Sequence, residues 1–189
     1  STYTTLCVTI AVSLNRLSAG STENDASVVR LMLFSRGTRL VAYAAACARA
    51  GIKLWVLTGD KVETAINIGF SCNLLDNDMD LIILKVTDDN IASVEAQLDE
   101  KLKVFGLEGS EEELAAAQTD HEPPPPTHAI IIDGDTLKLA LDESVRRKFL
   151  LLCRRCSSVL CCRVSPSQKA AVVNMVKTGL DCLTLAIGD

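Results

Sequence analysis

Residues able to handle a phosphate group and a hard cation fall in three short stretches, each following an apolar run. The first is Thr58-Gly59-Asp60, after Leu54-Trp55-Val56-Leu57. Glycine has no Cβ, so backbone N–H groups beside Gly59 can approach an anion at the positive end of a following helix. The second runs from Arg163 to Lys169, with Lys169 in the first turn of a helix. The helix dipole favours anions in that turn by roughly 0.3–1 kcal/mol, so a cation there makes sense beside a bound anion. The third is Gly188-Asp189, where a carboxylate just past a strand and a glycine suits Mg²⁺. In open α/β sheets ligands bind beyond the carboxyl ends of the strands, where Thr58, Arg163 and Asp189 all fall. A hydroxyl, two cations and a carboxylate at one edge form a phosphate–Mg²⁺ site. No G-x4-G-K-[ST] occurs, which excludes a Walker-type cradle. The alternative for each piece is structural: Thr-Gly-Asp as an ordinary strand-to-helix turn, and Lys169 as one more solvated lysine.

Such a site needs parallel strands that end together. Leu54–Leu57 is a continuous apolar run, as expected for a strand covered on both faces. Asp60 and Glu63 have the spacing of a capping box, and Val62, Ala65, Ile66 and Gly69 continue at helical spacing. Ser165 reads as an N-cap, Pro166 as the first helical residue and Gln168 as the capping partner, for a helix from Pro166 to Thr178. Further strands are expected at His128–Ile132, Ser158–Cys162 and Leu183–Ile187, with helices through Asp142–Arg155. Within residues 1–50, a mixed apolar segment (Leu6 to Leu17) is followed by polar residues. An Ala-rich helix over Arg39–Ala50 then closes at Gly51. Residues 76–127 read as a surface insertion: a strand at Leu81–Val86, a polar helix at Asp88–Lys103, acidic Glu108–Leu114, and the run Pro123–Pro126. Four consecutive prolines favour polyproline II and mark an exposed connection. Strands alternating with helices at this spacing indicate an α/β fold with a parallel sheet.

Composition agrees. The chain has 189 residues, 48% of them apolar, only 4% aromatic, with a net charge of −5. That length supports about one domain with a sizeable core, and the apolar content is too high for a disordered chain. The acidic balance and the lack of any Lys/Arg-rich stretch argue against nucleic acid as a partner. No apolar run approaches the ~18 residues needed to cross a bilayer, and no signal-peptide pattern opens the chain. Eight cysteines include a C-x2-C at Cys153 and Cys156. Adjacent Cys161 and Cys162 in a strand must point to opposite faces, which speaks against zinc. Reduced thiols acting as small hydrophobes in a cytosolic domain are expected.

At the same residues the sequence resembles a known family. Leu54 to Lys61, continuing through Glu63-Thr64-Ala65 and Asn67-Ile68-Gly69, closely resembles the TGD segment of type IV P-type ATPases, the phospholipid flippases. Ile130-Ile131-Ile132-Asp133-Gly134 and Cys161 through Lys169 resemble two further segments of that family, in the same order, and Leu183 through Asp189 looks like the start of its GDGxND motif. Residues 76–127 look most like the fungal plasma-membrane and endosomal branch. The resemblance implies a three-layer, haloacid-dehalogenase-like (Rossmann-like) phosphorylation domain over residues 51–189. That domain couples use of ATP and Mg²⁺ to movement of phospholipid. It implies that Thr58 and Gly59 bind the transferred phosphoryl, that Asp60 helps organise nucleotide and Mg²⁺, and that Arg163 contacts nucleotide. Lys169 would neutralise phosphoryl charge, and Asp189 would ligate Mg²⁺. These roles suit phosphoryl transfer, which depends on positioning and charge neutralisation.

The sequence also departs from the family. DKTGT, which carries the phosphorylated aspartate, is absent, so no complete catalytic set is expected and the sheet should lack that strand. Residues 1–50 match poorly. The expectation is an inactive fragment of a flippase. The parent would work at the cytoplasmic face of a plasma, Golgi or endosomal membrane, with phospholipid, membrane and a regulatory subunit as its partners. Two rivals remain. Asp133-Gly134-Asp135-Thr136 also resembles the D-x-D motif of soluble haloacid-dehalogenase phosphatases, with Asp133 as nucleophile and Asp135 as acid/base. The other is a non-catalytic truncated product.

Overall fold

The computed structural model describes residues 8–14, 53–120, 122–180 and 183–187. The helix expected at Arg39–Ala50 and the terminal Gly188-Asp189 lie outside them. In chain order the elements are β1 (Val8–Leu14), β2 (Lys53–Thr58), α1 (Val62–Ser71), β3 (Asp80–Leu84), α2 (Ile91–Val104), α3 (Glu111–Thr119), β4 (His128–Asp133), α4 (Gly134–Ala140), α5 (Arg146–Arg155), β5 (Ser158–Cys162), α6 (Pro166–Gly179) and β6 (Leu183–Ile187). The six strands form one sheet in the order β3-β4-β5-β2-β1-β6. β3, β4, β5 and β2 pair in parallel, giving the expected α/β fold with its parallel sheet.

Alternation along the strands builds two cores. Trp55, Leu57, Ile130, Ile132, Val159 and Cys161 face one side, against α2, α4, α5 and α6. Leu54, Val56, Ile131, Leu160 and Cys162 face the other, against Ala65 of α1. Cys161 and Cys162 therefore enter opposite cores. Burying each large aliphatic side chain contributes about 1.5–3 kcal/mol, and both faces of β2, β4 and β5 do so. Lys53 begins β2 and donates from Nζ to the carbonyls of Cys153 and Cys156, at the C-terminal end of α5. Exposed helix-end carbonyls favour a cation there, while burial pulls the Lys53 pKa down to about 8.

Two expectations change. Residues 76–127 do not stay on the surface. β3 pairs with β4 from Asp80↔His128 to Leu84↔Ile132, and α2 buries Val94, Leu98 and Leu102 in the main core. The polar face of α2 hid this apolar stripe. α3 buries no residue completely but packs Leu114 and Ala117 against the main core, and the proline run is exposed except at Pro124. The sheet is also continuous where a strand was expected to be missing. β1 lies between β2 and β6, antiparallel to both, with Val8 opposite Thr58 and Ile10 opposite Ile187. β1 reads VTIAVSL and brings no aspartate to that position. Because β6 is antiparallel to β1, it runs the same way as β2, and the carboxyl ends of all strands except β1 share one edge.

Candidate functional site

α1 covers one face of the sheet, and the helix after every other parallel strand covers the opposite face. Neighbours β2 and β5 thus send their following helices to opposite sides, and their carboxyl ends form a topological switch point. Two backbone hydrogen bonds fasten the loops there: Val164 N–H donates to the Thr58 carbonyl and Arg163 N–H to the Asp60 carbonyl, both at 3.0 Å. Arg163 pays for this closeness with a left-handed backbone, φ +53°, unusual for a residue with a Cβ.

Thr58 is buried at the end of β2. Its hydroxyl donates to Asp60 Oδ2 at 2.7 Å and accepts the Asp60 N–H at 3.1 Å. That local ring overturns the capping box expected of Asp60 and Glu63. The N-cap of α1 is Lys61, in extended conformation and without a side-chain cap. The spacing fitted the template, but the Thr58 hydroxyl competes for the Asp60 carboxylate and the helix begins later. Gly59 is exposed, and a Cβ built on it would meet nothing within 4 Å. The space over this turn is open, which fits an anion approaching the backbone.

On the other side of the switch point, the capping box of α6 is present as expected. Ser165 Oγ accepts from Gln168 N–H at 3.3 Å, Gln168 Oε1 accepts from Ser165 N–H at 2.9 Å, and Pro166 starts the helix. Lys169 lies half-buried in the first turn, with no acidic residue beside it in that turn. Thr58, Gly59, Asp60 and Arg163 are thus brought together, and Lys169 follows one helical turn behind. Asp189 lies outside the described residues. Among the described residues no group of three or more His, Cys, Asp or Glu side chains could hold a metal ion, so the Mg²⁺ expectation rests on Asp189.

Sequence reasoning missed the partner that steadies this corner. Gln168 Nε2 donates to the Gly134 carbonyl at 2.6 Å, and a Cβ at Gly134 would come within 2.3 Å of the Arg163 carbonyl oxygen. The β4–α4 turn is therefore wedged against the β5–α6 loop. A glycine straight after a strand-ending Asp was the available signal. Asp133 itself caps α4, its Oδ1 accepting from Thr136 N–H at 2.9 Å. Beside the wedge is a cleft of about 650 Å³. Glu63, Lys85, Asp133, Asp135, Lys138 and Arg163 are among its lining residues; Thr58 and Lys169 are not. Below both loops the Cys162 thiol is pushed up to about 12, by burial first and then by the Asp133 and Glu63 carboxylates.

No family model matches the chain. The chain is 62% identical over 149 residues to the phospholipid-transporting ATPase DNF1 of Chaetomium thermophilum, covering 75% of this chain and 10% of that protein. With DNF1 of Saccharomyces cerevisiae it is 63% identical over 152 residues, again covering 75% of this chain and 10% of the relative. With the probable phospholipid-transporting ATPase 4 of Arabidopsis thaliana it is 46% identical over 142 residues, covering 75% and 11%. The chain thus spans about a tenth of the length of the curated relatives it matches.

Proposed function

We propose, from the premise that the chain is a segment of the type IV P-type ATPase family, that it supplies the phosphate- and nucleotide-facing half of that family's phosphorylation domain. The observation that carries this is the pair of hydrogen bonds fastening Thr58 and Asp60 to Val164 and Arg163 at the switch point. In this reading the open backbone at Gly59 and the Thr58 hydroxyl receive the phosphoryl group. Asp60, held by Thr58, orients the turn, Arg163 reaches the nucleotide, and Lys169 balances phosphoryl charge. ATP supplies the transferred group, and Mg²⁺ would be held through Asp189. In the whole pump the substrate is a phospholipid, the domain faces the cytoplasm beside a plasma, Golgi or endosomal membrane, and a regulatory subunit accompanies it. No helix among the described residues is long and apolar enough to cross a membrane. Residues 51–189 form the domain part in this account.

The chain alone is expected to be inactive, because β1 brings no aspartate to the position beside Thr58. Asp133, the nucleophile of the phosphatase alternative, spends a carboxylate oxygen on capping α4. Purified chain assayed for ATP and phosphomonoester hydrolysis should stay at background, with weak Mg²⁺-dependent nucleotide binding. Robust turnover that disappears in Asp133→Asn would replace this reading with the phosphatase.

A further inference from the structure

β3 ends the sheet on one side, and its outer edge is open over a short, defined stretch. Asp80 N–H donates to the Thr127 carbonyl at 2.9 Å, so in the parallel ladder Asp80, Ile82 and Leu84 turn their backbone groups to β4. Leu81, Ile83 and Lys85 turn theirs outward. Gln97 of α2 covers Lys85: its Oε1 accepts the Lys85 N–H at 3.3 Å and its Nε2 donates to the Lys85 carbonyl at 2.8 Å. Among the described residues nothing bonds the outward N–H and C=O of Leu81 and Ile83. Lysine, proline or a bulge commonly blunts such an edge; between Asp80 and Leu84 β3 has none of the three. It presents Ile83 instead, with 54% of its surface exposed. Charge is divided along the edge. Asp76, Asp78 and Asp80 are exposed where the chain enters β3, and Lys85 is exposed where it leaves. Among the described residues Asp76, Asp78 and Lys85 form no ion pair, and Asp80 has only the His128 ring at 3.8 Å.

We infer that this edge pairs with the same edge of a second copy of the chain, the two β3 strands running antiparallel about a two-fold axis at Ile82. A strand that fits here must be apolar through its middle, acidic at its start and basic at its end, and Asp80-Leu81-Ile82-Ile83-Leu84-Lys85 is itself such a strand. With Leu81 opposite Ile83 of the second copy, and the reverse, the outward backbone groups of both residues find partners in both chains. These two pairs lie on the side of the sheet where Leu81 packs, so the exposed Ile83 gains an apolar neighbour. In the same register Lys85 comes opposite Met79 of the second copy, one residue from both Asp78 and Asp80. The charges are thus complementary at both ends, as a self-matching two-fold interface requires. β3 stands three strands from β2, roughly 14 Å at about 4.8 Å per step. Pairing there leaves the Thr58–Arg163 edge of each copy open, and the inference does not depend on the function proposed for that edge.

The test combines sedimentation with amide hydrogen exchange on the full chain across a concentration series. The mass should rise from one chain towards two with a Kd on the order of 100 μM, weak because the edge is short, and weaker still in high salt. The Leu81 and Ile83 amides should exchange freely in dilute chain and slow about tenfold or more as the dimer fills, while those of Ile82 and Leu84 stay protected throughout. Ile83→Pro should abolish the dimer and keep the fold, because the lost N–H faces outward and proline is tolerated at such edge positions. Lys85→Glu and the double variant Asp78→Lys/Asp80→Lys should each weaken self-pairing about tenfold, and an equal mixture of the two should restore it, since each then meets opposite charge at both ends. One-chain mass at every concentration up to about 1 mM would overturn the inference. So would a dimer that survives Ile83→Pro, protection of Leu81 and Ile83 that ignores concentration, or charge variants that fail to rescue each other.

Discussion

Two strand-to-helix turns look alike as letters and behave differently as structures. Thr58-Gly59-Asp60 ends β2 and Asp133-Gly134-Asp135 ends β4; each joins an apolar strand to a helix through a glycine flanked by acid. At Gly59 an added Cβ would meet nothing, whereas at Gly134 it would strike the Arg163 carbonyl at 2.3 Å. The second glycine is there for packing and the first leaves room. The acids differ as well: Asp60 is held by the Thr58 hydroxyl within its own turn, while Asp133 gives one carboxylate oxygen to the cap of α4. The closed turn braces the β5–α6 loop, and the proposed phosphate-facing role is assigned to the open one.

The largest effect that can break this contrast is Gly134→Ala. Backbone oxygen cannot move aside cheaply, so the cost should reach the upper part of the ~1–3 kcal/mol range for overpacking, read as a lower urea midpoint. Gly59→Ala should be neutral or stabilising by about 0.4–1 kcal/mol, because neither a clash nor a positive φ opposes it. Equal losses in the two variants would erase the distinction.

Alkali probes the layer beneath both turns. Among the described residues five buried cysteines have raised pKa values through burial, including Cys156 at about 11 and Cys162 at about 12 against an ordinary 9.0. The folded state holds its thiol protons longer than the unfolded chain, so the thiol contribution is intact below pH 9 and is lost as pH rises towards 12. Lys53, lowered from 10.5 to about 8, acts oppositely, favouring the fold as pH rises between those values. Five thiols outweigh one amine, and the urea midpoint should fall from pH 9 upward. Cys162→Ala should flatten that slope; an unchanged slope would separate the thiol from the two turns above it.

Gln168→Ala is expected to cost about 1–2 kcal/mol, since one side chain both completes the α6 cap and holds the Gly134 carbonyl. Ser165→Ala removes only the cap and should cost about 1 kcal/mol. The gap between the two variants measures the brace between the closed turn and the Lys169 loop.

Much of this was legible in the residues. β2, β4 and β5 appear as short apolar runs because both faces of the sheet are covered there, and α6 announces itself through Ser165, Pro166 and Gln168. The shared carboxyl edge followed from alternating strands and helices. Other parts were masked by physical competition. Asp60 had the spacing of a cap, yet the hydroxyl two residues earlier captured it. α2 looked like a solvated helix because polar residues outnumber its three buried ones, Val94, Leu98 and Leu102. α4 starts directly at Gly134 with no linker to signal it, and the Gln168–Gly134 link joins residues 34 apart in sequence. Nothing in VTIAVSL foretold that β1 would lie antiparallel between β2 and β6.

The most direct test of the open-turn account is a residue-resolved NMR titration of the chain with a non-hydrolysable ATP analogue and Mg²⁺. Weak, saturable shifts in the amides of Gly59, Asp60, Arg163 and Lys169, reduced in Gly59→Ala, are the predicted result. Shifts confined to Asp133, Asp135 and Lys138, or none at the Thr58–Arg163 edge, would contradict it.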